Sequence, residues 1–191
     1  MSQEKEIIIQ QISKSRFRFF VMFTKNPKLS SLSEEIEYYA NEKVTILGTI
    51  VLDYYDNDFG AIVLCRDEYG KFRAIESESD FISIDDSRVW LKQKIRRYTN
   101  ENIIQVPQGT GSPGIDLFKK LNNHDKLHPY FIKLNNDNHN NAAKQIIIEA
   151  MRFFNDVDGN FVEQFQSING FDSRLWEIYL FCFSVKLQLL E

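Results

Sequence analysis

The sequence predicts an α+β protein: a three-stranded antiparallel meander packed with helices, followed by a C-terminal helical segment. Residues 43–79 contain three runs rich in β-branched and aromatic residues, separated by polar turns at 56–58 and 67–70. Residues 85–98 and 141–155 instead carry apolar residues at helical spacing. Aromatic residues make up 14% of the chain, which indicates a core rich in rings.

The segment before the meander gives mixed signals. Residues 4–15 fit a short helix, but the three consecutive isoleucines within them favour a strand, so both element types stay open. Ser33 is followed by Glu34 and Glu35, and a hydroxyl cap with acids in the first turn is typical of a helix start. We therefore expect a short helix over residues 33–40.

The meander is the part of the chain with the clearest pattern. Its middle run, residues 59–66, is apolar on both faces, so we expect it to lie between two strands with a helix covering at least one side. In the third run, strict alternation would place Phe72, Ala74 and Glu76 on one face. The later part of this strand is predicted to be partly solvated.

The rest of the chain divides into a helix, a connection and a helical end. Asp85 or Asp86 is predicted to cap a helix that reaches about Tyr98. The polar stretch after it is rich in helix breakers, yet its length predicts a short element around Phe118 or around residues 130–134. The predicted organisation is an α+β meander domain at 1–100, a loop-rich connection at 101–140 and a C-terminal helical segment at 141–191.

The last helix, which Asp172 is predicted to cap, is apolar around most of its circumference. Such a helix needs cover on nearly all sides. We therefore expect Trp176, Tyr179, Phe183 or Leu187 to pack against a second copy of the chain, which makes it a homo-oligomer.

The charge and hydropathy of the chain argue against several classes of function. The net charge of −4 gives no overall attraction to nucleic-acid phosphates. The apolar stretch near the N-terminus is too short for a signal peptide, and no run reaches the ~20 residues that a membrane span needs. These features predict a cytoplasmic protein that does not enter a membrane. Cys65 and Cys182 lie in apolar runs and are predicted to be buried free thiols.

Five cations on the helix after the meander form the strongest local basic patch. They are Arg88, Lys92, Lys94, Arg96 and Arg97. Three of them recur at four-residue intervals, which places them on one side of the helix. They form either a solvated helix face or a surface that binds DNA, RNA or a partner.

A second pair of charges lies on the last helix. Arg174 and Glu177 are three residues apart, so their side chains are within reach of each other on an otherwise apolar helix. They are predicted to form either a structural ion pair or an inter-domain contact, since desolvation makes each charge depend on the other.

No complete catalytic or cofactor site is apparent. Gly109, Gly111 and Gly114 lack the Lys-Ser/Thr ending of a phosphate-binding loop, so they predict a flexible loop or a lid. The histidines His124, His128 and His139 lie in polar segments at spacings that fit no two-histidine helix face, which favours solvated residues over a metal site. We therefore predict no catalytic residues, no metal and no cofactor; an enzyme using His124 or His128 is an alternative.

Two segments, DNDFGAIVLCRDEYGKFRAIE at 56–76 and GFDSRLWEIYLF at 170–181, resemble a family of uncharacterised bacterial proteins. In that family a variable N-terminal region precedes a PD-(D/E)XK-like nuclease domain. The resemblance implies that the second segment is similar to the opening helix of the nuclease core, with Glu177 facing the metal site. A metal-dependent nuclease also needs further carboxylates and a lysine, but no Asp or Glu in this chain is followed two residues later by Lys.

These observations together predict a non-catalytic N-terminal module, cut short at the start of the nuclease-like domain. Its role would be target recognition or docking, with the downstream domain, DNA or RNA as partners. The alternative is a self-contained domain that binds a small ligand or another protein, with an apolar pocket between the sheet and the helices.

Overall fold

Two compact units, Met1–Gly111 and Ser112–Glu191, divide the chain in the computed structural model. The structure describes residues 7–24, 32–101, 113–119 and 127–188. Of residues 186–188 it describes the backbone alone.

The first unit is built on a five-stranded antiparallel sheet whose strand order follows the chain. Its elements are β1 (Ile9–Gln11), α1 (Lys14–Val21), β2 (Ser33–Asn41), β3 (Ile46–Asp53), β4 (Phe59–Arg66), β5 (Phe72–Phe81) and α2 (Ile84–Asn100). The α+β class is confirmed. The predicted three-stranded meander corresponds to β3, β4 and β5, so the strand number was wrong: two further strands precede these three.

The helix predicted to start at Ser33 is the strand β2. Its bulky residues Ile36, Tyr38 and Tyr39 suit a pleated surface, and the strand pairs with β3 from the Ser33↔Asp53 pair onward. Pairing with a neighbouring strand outweighs the local signal of a capping serine followed by acids. Both a strand and a helix were possible for residues 4–15, and the structure contains both there. The strand β1 is followed by helix α1, which Ser13 caps.

Helix α2 covers one face of the sheet. Leu91 and Ile95 pack on Ile46 and Ile50 of β3, and all four side chains are buried. A Cβ atom at Gly48 would lie 2.7 Å from Leu91 Cδ1, so the glycine lets the helix approach the sheet closely. The prediction that a helix covers the middle strand is confirmed.

Helix α1 covers part of the opposite face. Phe17 and Val21 pack with Tyr38, Leu47 and Phe72 in a second buried cluster. Since successive strand residues point to opposite faces, Leu47 faces α1 while its neighbours in β3 face α2. The sheet is therefore the middle layer of this unit.

A bulge in the last strand pair changes which residues share a face. Phe72 packs in the α1 cluster, whereas Glu76 hydrogen-bonds side chains of α2 on the other side. The register shifts between Val63 and Leu64 of β4, where an extra residue of β5 is accommodated. The expectation that Phe72, Ala74 and Glu76 share a face was therefore wrong.

The second unit is helical. Its elements are α3 (Pro129–Asn136), a 3-10 turn (Asn138–Asn140), α4 (Asn141–Met151), α5 (Phe161–Gln166) and α6 (Phe171–Gln188). Helix α3 is the short element that the sequence predicted around residues 130–134. The core of the second unit contains a cluster of aromatic rings: Phe118, Phe131, Phe165 and Phe171.

Candidate functional site

Helix α2 carries the predicted basic patch and begins earlier than predicted. Ser83 is the capping residue, and its Oγ accepts a hydrogen bond from the backbone N–H of Asp86 at 3.1 Å. Asp85 and Asp86 instead occupy the first turn, where acids interact favourably with the helix dipole. The cap predicted at Asp85 or Asp86 was therefore wrong by two to three positions.

Arg88 is bound to carboxylates on two sides. Its Nε donates to Glu37 Oε2 at 2.9 Å, its Nη2 also donates to Glu37, and its Nη1 donates to Asp85 Oδ1 at 2.6 Å. The Tyr39 hydroxyl donates to Glu37 as well, at 2.6 Å. Hydrogen bonding from Arg88 holds the pKa of Glu37 below its usual value, against the opposing effect of burial. Arg88 thus links α2 to strand β2.

Lys94 and Arg97 are paired in the same way. Lys94 forms an ion pair with Glu76 of β5, and the Tyr98 hydroxyl donates to the same carboxylate at 2.5 Å. Burial alone would raise the pKa of Glu76, but these two hydrogen bonds outweigh it and lower the pKa. Arg97 Nε lies 2.9 Å from Glu101 Oε1.

The two other cations of the patch have different surroundings. Lys92 Nζ lies 5.2 Å from the centre of the Tyr39 ring, a cation–π distance, and Arg96 is exposed. Three of the five predicted cations are therefore paired with carboxylates. Because those carboxylates come from β2, β5, α2 and the residue that follows α2, most of the basic charge of this helix is neutralised within the first unit.

A groove lies on the face of the sheet opposite α2. It has a volume of about 290 Å³ and is lined by Ser33, Val51, Asp53, Asp58, Gly60, Ala61, Ile62, Ser77, Glu78 and Ser79. Burial and a hydrogen bond with Asp80 raise the pKa of Asp58. The sequence assigned Asp56, Asn57 and Asp58 to turn chemistry, and Asp53 also has a turn role, since it accepts from the Tyr55 N–H at 2.7 Å. Carboxylates in the groove disfavour phosphate groups there.

The described histidines have structural partners. His128 Nδ1 accepts from the backbone N–H of Tyr130 at 3.2 Å at the start of α3, and its ring stacks on Phe171 at 4.5 Å. His139 Nδ1 lies 2.9 Å from Asp137 Oδ1. Within the described ranges, no group of three or more His, Cys, Asp or Glu side chains is arranged to hold a metal ion.

Four other residues that the sequence singled out include three that the structure does not describe and one close-packing position. His124, Gly109 and Gly111 lie outside the described residues. Gly114 approaches the main chain of Arg152 so closely that a Cβ atom would lie 2.3 Å from Arg152 Cα. Gly114 is therefore a close-packing position in the second unit.

The two cysteines are free thiols, as predicted. Cys65 is buried under α2, whereas Cys182 on α6 is only partly buried. Burial raises the pKa of both thiols, so both stay protonated at neutral pH.

Arg174 and Glu177 form the predicted pair, and Arg174 has further partners on α5. Its Nη1 lies 2.6 Å from Glu177 Oε2, and its Nε donates to Gln164 Oε1 at 2.7 Å. The guanidinium also lies 5.0 Å from the centre of the Phe161 ring. Arg174 thus joins the start of α6 to α5 within the second unit.

Helix α6 is apolar on two opposite sides. One side packs inside the second unit, where Phe171 and Ile178 are buried and the Phe181 ring meets Phe154 edge-on at 5.3 Å. At 100° per residue, Trp176, Tyr179, Leu180 and Phe183 fall within about 100° of one another on the other side. The second unit therefore covers only half of the apolar surface of this helix.

The uncovered side is the α6 ridge, formed by Trp176, Tyr179, Leu180 and Phe183. The exposed fractions are 60% for Trp176 and 55% for Tyr179, and about half for the other two. The rings follow each other in near-parallel stacks, with centroids 5.1 Å apart for Trp176 and Tyr179 and 6.3 Å apart for Tyr179 and Phe183. The ridge is thus a continuous aromatic surface.

The sequence pointed to most of this ridge. Trp176, Tyr179 and Phe183 were predicted to need a covering partner, because a helix that is apolar all round cannot bury every side against one neighbour. Leu180 was missed, although its position between Trp176 and Phe183 on the helix face would have placed it there. The side chain of Leu187 lies outside the described residues.

No protein-family model matches the sequence, and the searches of curated proteins and of solved structures give no match either. The resemblance to the nuclease-linked bacterial family therefore stays a prediction from the sequence. Within the described ranges, none of the helices has both the length and the apolar character needed to cross a bilayer.

Proposed function

We propose that this chain is a non-catalytic docking module that binds a partner protein through the α6 ridge. The observation that carries the proposal is the joint exposure of Trp176, Tyr179, Leu180 and Phe183 on one side of a helix whose other side is buried. Exposed apolar surface that is contiguous, rather than scattered singly, marks an interaction site.

The chemistry of the ridge favours a protein partner. Trp and Tyr are enriched among the residues that dominate binding energy at protein interfaces. The stacked rings of Trp176, Tyr179 and Phe183 restrict one another, so less side-chain freedom is lost when a partner covers them. A partner would therefore gain apolar burial at a low entropic cost.

The charges support docking over nucleic-acid recognition. Arg88, Lys94 and Arg97 are engaged with carboxylates, so phosphates would have to compete with those carboxylates for the same cations. Arg174, on the side of α6 that contacts α5, is likewise paired. The non-catalytic part of the proposal rests on the sequence, which contains no Asp or Glu followed two residues later by Lys.

Site-specific photo-crosslinking tests this function. The photoreactive residue p-benzoylphenylalanine would replace Tyr179 on the ridge or, as a matched control, Tyr130, which is 61% exposed on α3. In cells that produce the chain naturally, we expect a discrete polypeptide adduct from position 179 that is at least about tenfold stronger than from position 130, and that Phe183→Gln removes.

Two results would count against a protein-docking role for the ridge. One is crosslinking of equal yield from positions 179 and 130, which would mean that the ridge is no more a contact surface than any exposed tyrosine. The other is an adduct at position 179 that nuclease digests, which would assign the surface to nucleic acid.

A further inference from the structure

We infer that the partner of the α6 ridge is a second copy of this chain, with the two ridges meeting across a two-fold axis. The inference rests on the proposed function and adds the identity of the partner.

The ridge contains no charged side chain, so two identical ridges meet without placing like charges together. This matters because the whole chain carries a net charge of −4 and two copies repel each other weakly at long range. On this side of the described helix Asp172 lies one turn before Trp176, and Glu177, which flanks the ridge, is paired with Arg174 at 2.6 Å. A two-fold interface requires this kind of self-complementary surface, because the same patch is used by both copies.

The exposed area is in the range that a weak, specific dimer needs. A covered aromatic side chain buries ~150–250 Å², so three that are about half exposed, together with Leu180, leave roughly 400 Å² per copy for burial. With the flanking side chains that a helix pair also covers, the total for two copies approaches ~1,000 Å², the lower end for specific interfaces. We therefore expect a dissociation constant on the order of 10 µM rather than an obligate dimer.

The spacing of the ridge fits a helix pair. Trp176, Tyr179, Leu180 and Phe183 stand at i, i+3, i+4 and i+7, the pattern in which apolar side chains of one helix interdigitate with those of another. In the sequence Leu187 extends the pattern by four residues. A single partner helix of the same type can thus contact the whole length of the ridge.

Sedimentation equilibrium of the full chain tests the inference. From ~1 µM to ~500 µM we expect a reversible monomer–dimer equilibrium for the unaltered chain. Tyr179→Gln should weaken the dimer at least about tenfold, whereas Tyr130→Gln, the same change at an exposed tyrosine off the ridge, should leave it within about twofold. Phe183→Gln provides a second ridge variant, and the circular dichroism spectrum confirms that each variant is folded.

A chain that stays monomeric at all these concentrations would overturn the inference. So would a dimer that both tyrosine variants weaken equally, or that neither weakens, because that dimer would form through another surface. These outcomes differ from failure of the docking function. If photo-crosslinking from position 179 is specific but yields a different polypeptide, the docking function stands and only self-association is wrong.

Discussion

The partners of Arg88 are determined by the fold and not by the neighbouring sequence. From the sequence it is one of five cations on a helix, and either a solvated or a phosphate-binding role was open. In the structure it is held by Glu37, a residue 51 positions away. That pairing depends on the register of β2 and on where α2 crosses the sheet, so no local pattern could have predicted it. The same holds for Lys94 and Glu76.

The Arg88–Glu37 pair makes a pH-dependent contribution to stability. The pKa of Glu37 is lowered in the folded chain from its usual value of 4.5. The contribution is therefore fully present above about pH 4.5 and is lost as the pH falls through the lower folded-state value. We expect Glu37→Gln to reduce the free energy of unfolding by about 1–2 kcal/mol at pH 7, and by clearly less at pH 3.

Urea unfolding at the two pH values measures this difference. Asp85→Asn is the matched control: Asp85 contacts the same guanidinium, but its side chain is 81% exposed, so the loss should be small at both pH values. Equal losses for Glu37→Gln at pH 7 and pH 3 would show that the pair does not contribute through the charge of Glu37.

At the scale of elements, the sequence predicted strands and helices best where the apolar pattern was long. The runs that became β3 and β4, and the helix α2, were predicted with small boundary errors. Ser33 was misassigned because a capping signal of three residues competes with strand pairing over nine. Helix α5 has six residues and was not predicted, since so short a segment shows hardly two turns of periodicity.

Helix α6 shows how one element can serve both the fold and an interface. Ile178 lies on its covered side and is 4% exposed, whereas Leu180 lies on the ridge and is 47% exposed. We expect Ile178→Ala to lower the free energy of unfolding by about 2–4 kcal/mol, because it removes buried methyl groups and leaves a cavity. Leu180→Ala removes a similar volume from an open surface and should cost less than about 1 kcal/mol.

Chemical denaturation at about 1 µM chain, below the expected dissociation constant, compares the two variants without a contribution from dimerisation. Similar losses for both would mean that the ridge is part of the packed core in solution. The two-sided character of α6 would then be wrong.

At the scale of the whole molecule, composition and pattern established the α+β class but not the number of strands. The strands β1 and β2 were missed because residues 4–15 gave mixed signals and β2 opens with three polar residues, Ser33, Glu34 and Glu35. The candidate site was partly predictable: a helix that is apolar all round indicates an uncovered side, but which residues lie on that side depends on how α5 and α4 pack against it.

If a second copy of the chain covers the α6 ridge, the accessibility of Trp176 must fall as the chain concentration rises. Trp90→Phe leaves Trp176 as the only indole, and acrylamide quenching then measures its accessibility from ~1 µM to ~500 µM chain. We expect free quenching at the lowest concentration and strong protection at the highest, with Phe183→Gln abolishing the protection. An accessibility that does not change with concentration would contradict it.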